Sequence, residues 1–223
     1  MKISDLMIQE ALRYIQTPKN KSNDDIIEKI RHTYDKLEKI GGVKSVYKVL
    51  PIYLDAEGVS FENTHFKIIS KDLLRLFANS KKCYILAVTL GQEADRQIAL
   101  RQKIDMLDAL ILDACASVCV ERACDELESE IIKTLKEGEF LTMRFSPGYG
   151  DVPLEVQQSL IDLLDASKRI GISLTKTNML IPTKSITALI GVSDQKESRM
   201  KSCKLCNLKE VCLYKKRGDK CGL

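Results

Sequence analysis

The strongest constraint on the fold is an apolar run followed at once by a long helix-patterned stretch. The run is Tyr84 to Gly91, YILAVTLG, and the stretch extends from Glu93 to Glu137. A short continuous apolar run reads as a buried strand. The stretch after it reads as helix with one break, and Met106, Leu110, Ala114, Cys115, Val118 and Ala123 mark its apolar face. Gly138 ends it. Aromatic residues make up only 5% of the chain and Trp is absent, so aliphatic side chains must fill the interior.

Around this centre the remaining elements follow from local signals. Ser4 to Ile15 reads as a first helix, broken by Pro18-Lys19-Asn20-Lys21. Ser22 or Asn23 caps a second helix that runs to Ile40, and Gly41-Gly42 ends it. Val46 to Leu54 and Val59 to Phe61 read as strands joined by a turn near Glu57-Gly58. Ser70-Lys71-Asp72 opens a short helix through Phe77, and Val156 to Arg169 has amphipathic spacing. Helices, then strands, then long helices, then strands predict an α+β fold with a twisted, mainly antiparallel sheet. The chain divides into an N-terminal helical segment (1–42), a central domain (43–195) and a Cys-rich tail (196–223).

Between the long helices and the last strands lies Arg-Phe-Ser-Pro-Gly-Tyr-Gly-Asp, Arg144 to Asp151, followed by a helix that Asp151 or Pro153 opens. Pro147 fixes φ and Gly148 releases the next peptide from steric limits. An arginine fork and a tyrosine ring beside bare backbone suit a ligand with a carboxylate and a flat heterocycle. The loop resembles the Arg-x-x-x-Gly-Tyr motif in the activation domain of cobalamin-dependent methionine synthase. Residues 171–193 (GISLTKTNMLIPTKSITALIGVS) resemble that family in order: Gly-x-x-Leu-Thr, a Pro turn, a Ser-rich strand. The resemblance implies that Arg144, Ser146, Gly148 and Tyr149 bind S-adenosylmethionine. Ser146 stands where an alanine is common, and the family's upstream ligand-contacting aspartate has no recognisable match.

Net charge is +4, concentrated at one end. Residues 196–223 hold nine Lys/Arg against three Asp/Glu, a net +6 that leaves −2 elsewhere. Such a balance gives no case for nucleic-acid binding, and no apolar run is long enough to span a bilayer. The first 18 residues lack the apolar core of a secretion signal, so the expected location is cytoplasmic. In that compartment the eight cysteines read as thiols or metal ligands. Cys203, Cys206, Cys212 and Cys221, spaced C-x2-C-x5-C-x8-C, predict a metal site, an iron–sulfur cluster or zinc. Cys83, Cys115, Cys119 and Cys124 read as core thiols. His32 and His65 are isolated from other catalytic types, and no catalytic constellation is legible.

The resemblance implies a stand-alone protein for reductive reactivation. An inert cobalamin is reduced by one electron and methylated from S-adenosylmethionine. The corrinoid arrives on methionine synthase or a related corrinoid protein, because this chain has no Asp-x-His-x-x-Gly motif. Flavodoxin or ferredoxin is the kind of electron donor implied. The alternative is a non-catalytic binding or scaffold module with a structural zinc tail.

Overall fold

A computed structural model of the protein describes residues 3–15, 24–40 and 42–196. Its elements in chain order are α1 (Asp5–Tyr14), α2 (Asp24–Ile40), β1 (Lys44–Leu54), β2 (Gly58–Phe61), β3 (Lys67–Ile69), α3 (Lys71–Leu76) and β4 (Ser80–Thr89). There follow α4 (Gln92–Gln102), α5 (Met106–Ile132), β5 (Phe140–Leu141), α6 (Val156–Leu164), α7 (Ala166–Ile170), β6 (Ser173–Leu174), β7 (Leu180–Ile181) and β8 (Ser185–Ser193). Six strands form one sheet in the order β3-β2-β1-β4-β8-β5, and β6 and β7 form a separate hairpin. The β1–β2, β2–β3 and β5–β8 pairings are antiparallel. The fold is α+β, as expected.

The neighbouring strands β4 and β8 show why the apolar run behaves as it does. Residues Cys83 to Thr89 of β4 are buried without interruption, and so are Thr187 to Ser193 of β8. A strand covered on both faces loses the polar–apolar alternation of a half-exposed one. By contrast β1, which flanks β4 on the side away from β8, leaves Tyr47, Val49 and Tyr53 exposed.

The described residues cluster into two compact units. The first draws on Met1–Lys48, Ile85–Thr134 and Gln157–Ala188. Here α5 packs against α1, α2 and α4, and its core joins Met7, Ala11, Ile30, Tyr34, Ile111 and Cys115. Ser4 starts α1 by accepting from Met7 N, and the Tyr34 hydroxyl donates to the Met7 carbonyl at 2.9 Å. The expected break in the long helical stretch is at residues 103–105, where the Asp105 carboxylate accepts from the Leu107 and Asp108 amides and restarts the helix.

Two local expectations are corrected. Met106 and Leu110 are 67% and 45% exposed, because the first turns of α5 leave that stripe outside the packing that buries Ala109, Ile111 and Leu112. The helix after the loop opens at Val156, not at Asp151 or Pro153, and breaks at Asp165, whose φ of 49° is left-handed. Aspartate tolerates that region better than most residues.

Of the described residues, the second unit draws on Val49–Tyr84, Leu135–Val156 and 189–196. It contains β2, β3, α3 and β5 together with the loop from Arg144 to Asp151. Ser70 caps α3 by accepting from Leu73 N at 3.0 Å.

Candidate functional site

The loop is built between two anchors. At its start Phe145 pairs with Leu189 of β8, each amide donating to the other's carbonyl at 2.9 Å. Extended backbone at Phe145 turns Arg144 and Ser146 to the face opposite the Phe145 ring. Both are half-buried. The chain then reverses: Tyr149 N donates to the Ser146 carbonyl at 3.1 Å, and Gly148 N donates to the Val152 carbonyl at 2.8 Å.

Tyr149 stands between two glycines in left-handed backbone, Gly148 at φ 90° and Gly150 at φ 55°. That pairing turns its side chain outward, and Tyr149 is 67% exposed. Gly150 is also crowded: a Cβ there would lie 2.3 Å from Oδ2 of Asp72 and 3.0 Å from the Phe145 ring, so those side chains would have to shift. The second anchor is Asp151. Its carboxylate accepts from the Ser70 hydroxyl, and from Lys71 N at 2.7 Å. Partial burial pushes this carboxyl up, but the Ser70 hydroxyl and the Lys71 and Asp72 amides outweigh that and hold it below the ordinary value.

Arg144, Ser146, Gly148 and Tyr149 therefore share one short, doubly anchored loop. It presents a guanidinium, a hydroxyl, open backbone and an aromatic face. That set can pair with a carboxylate and stack on a flat or cationic group. Asp151 is the site residue that sequence reasoning missed. No sequence signal links it to a serine 81 positions earlier.

The strand hydroxyls of β4 and β8 in the first unit are committed to protein partners. Thr187 Oγ1 donates to Gln157 Oε1 at 2.6 Å, and Ser185 Oγ donates to Thr89 Oγ1 at 2.7 Å. Thr89 and Thr187 are 0% and 2% exposed. His32 and His65 are exposed. Cys83, Cys115, Cys119 and Cys124 are buried and outside any disulfide, as expected of core thiols. Burial pushes Cys115 and Cys119 up to about 12, so neither forms a ready thiolate. Among the described residues no group of three or more His, Cys, Asp or Glu is placed to hold a metal ion. Cys203, Cys206, Cys212 and Cys221 lie outside the described residues. No helix among those described is long and apolar enough to cross a membrane.

A family model for the vitamin B12-dependent methionine synthase activation domain matches residues 71–219. The chain belongs to this family. The match begins at Lys71, whose amide donates to Asp151, spans the whole Arg144–Tyr149 loop and continues past Cys203, Cys206 and Cys212. Among solved structures, a crystal structure of the MetH reactivation domain bound to AdoHcy is similar in fold, with a TM-score of 0.59 and 15% identity. The similarity covers 88% of this activation-domain chain and 73% of that one. No curated protein matches it significantly.

Proposed function

We propose that this chain binds S-adenosylmethionine and presents it for reductive reactivation of a cobalamin-dependent methionine synthase or a related corrinoid protein. The observation that carries the reading is the loop itself. An exposed Tyr149 is held between two left-handed glycines beside a half-buried Arg144, in a chain of the activation-domain family. The residues fit the ligand. Arg144 pairs with its carboxylate as a planar fork. Gly148, which has no side chain, lets the ligand approach the backbone, and Ser146 adds a hydroxyl. Tyr149 offers a ring face to the adenosyl group or the sulfonium. The bound ligand supplies an electrophilic methyl group. The protein's part is to hold and aim it, so positioning rather than acid–base chemistry dominates. The corrinoid is carried by the partner, and the electron comes from a donor such as flavodoxin or ferredoxin. That Cys83, Cys115, Cys119 and Cys124 are buried outside any disulfide supports a cytoplasmic setting.

Calorimetry with S-adenosylmethionine tests this. Binding is expected in the wild type, with a loss of at least about tenfold in Arg144→Ala, the scale of a charge-assisted hydrogen bond. Absence of heat in the wild type, or an Arg144→Ala titration that overlays it, favours the scaffold alternative. For Cys203, Cys206, Cys212 and Cys221 we propose a metal site, supported by their spacing and by basic neighbours such as Lys204 and Lys209. Anaerobic iron, zinc and sulfide analysis with an absorption spectrum decides between an iron–sulfur cluster, zinc and no metal.

A further inference from the structure

We propose that Asp151 and Ser70 form a clasp that sets the ligand loop, which makes Asp151 a positioning residue for S-adenosylmethionine rather than a contact to it. This rests on the functional reading above. The Asp151 carboxylate takes the Ser70 hydroxyl proton on Oδ1 and the Lys71 amide on Oδ2 at 2.7 Å, with the Asp72 amide at 3.4 Å from Oδ1. Ser70 Oγ in turn accepts from Leu73 N at 3.0 Å. The bonds therefore run one way, from the Leu73 amide through the Ser70 hydroxyl to Asp151. The carboxylate occupies these donors, so they serve the protein and not a ligand.

The clasp matters because of where it sits. Phe145 fixes one end of the loop to Leu189, and Asp151 fixes the other end to the start of α3. Between the two lie Ser146, Gly148 and Tyr149, which carry three of the four proposed contacts. Gly148 and Gly150 both adopt left-handed backbone, and glycine is the residue with most conformational freedom to lose. Without the second anchor that freedom returns, and a ligand must meet the ordering cost on binding. The loop lies close to α3, since a Cβ built at Gly150 would come within 2.3 Å of Asp72 Oδ2.

The test combines calorimetry with hydrogen-exchange mass spectrometry on the full chain. Asp151→Asn is expected to weaken S-adenosylmethionine by about tenfold, the scale of losing one charge-assisted bond's worth of ordering. Peptides covering residues 146–152 should exchange faster, while α5 peptides stay unchanged. Arg144→Ala should lose affinity with no change in exchange. Ser70→Ala should weaken binding too, and the double variant should be no worse than the poorer single one, because the two residues act as a unit. Wild-type affinity in Asp151→Asn overturns the proposal. So does a strictly additive double variant, or faster exchange spread through α5, which would mark a general loss of stability. A wild-type chain that binds no S-adenosylmethionine overturns the functional reading instead, and the exchange comparison then still decides whether the clasp holds the loop.

Discussion

The helix α5 and the loop from Arg144 to Asp151 are held in opposite ways. The helix is 27 residues long, and residues such as Ile111, Cys115 and Cys124 along it are at most 1% exposed. Its position is over-determined by many contacts with α1, α2 and α4. The loop exposes its tyrosine and depends on two glycines, one paired residue and one carboxylate. A change in α5 should therefore cost stability and leave the loop's chemistry intact in the folded molecules. A change in the loop should do the reverse. The candidate site belongs with the sparsely held region, a surface loop rather than a packed element.

The contrast can be broken or sharpened by substitution. Ile111→Ala should have the largest effect on stability, about 2–5 kcal/mol, because it empties buried volume. Thermal melting measures it, and S-adenosylmethionine affinity should remain unchanged at a temperature where the variant is folded. Gly150→Ala should cost less, about 1–3 kcal/mol of backbone strain. Its contact with Asp72 should nonetheless displace the loop and lower affinity more than Ile111→Ala does. Equal affinities for these two variants would erase the distinction between the regions.

Tyr149→Ala should shift stability by no more than about 0.5 kcal/mol, as for other exposed positions, while weakening binding. Tyr149→Phe, which keeps the ring, should bind better than Tyr149→Ala. If the two bind alike, the ring face is not the contact.

The smallest effect is pH-dependent. The Asp151 carboxyl is held below its ordinary value in the folded state. Its contribution is therefore complete above the unfolded value of about 3.9 and is lost as pH falls through the lower, folded value. The melting-temperature gap between wild type and Asp151→Asn should be constant above about pH 5 and should close in acid. A gap that persists in acid, or is zero at neutral pH, would remove Asp151 from the account.

Much of the fold was legible because its signals are local. Ser4 and Ser70 begin α1 and α3 as their positions suggested, and both act through an amide three residues on. YILAVTLG reads as buried because it is buried on both faces. The loop was legible as a kind of loop, since Pro147, Gly148 and Gly150 restrict what the backbone can do. What failed were inferences that needed to know a neighbour. Met106 and Leu110 fit a helical stripe, yet they stay largely exposed while Ala114, Cys115, Val118 and Ala123 are buried. Asp165 sits inside a continuous amphipathic pattern and still breaks it.

The sequence by itself determined the main helices and the long strands, where α1 and α3 start, and that a cation and an aromatic ring share one glycine-bearing turn. These depend on periodicity, caps and φ preferences, whose range is a few residues. Tertiary structure decided which polar groups are spoken for and what holds the turn in place. The Ser70–Asp151 contact spans 81 residues of chain. An aspartate before a helix looks the same in sequence whether it caps the helix after it or grips one far upstream, and only folding brings the second possibility into reach.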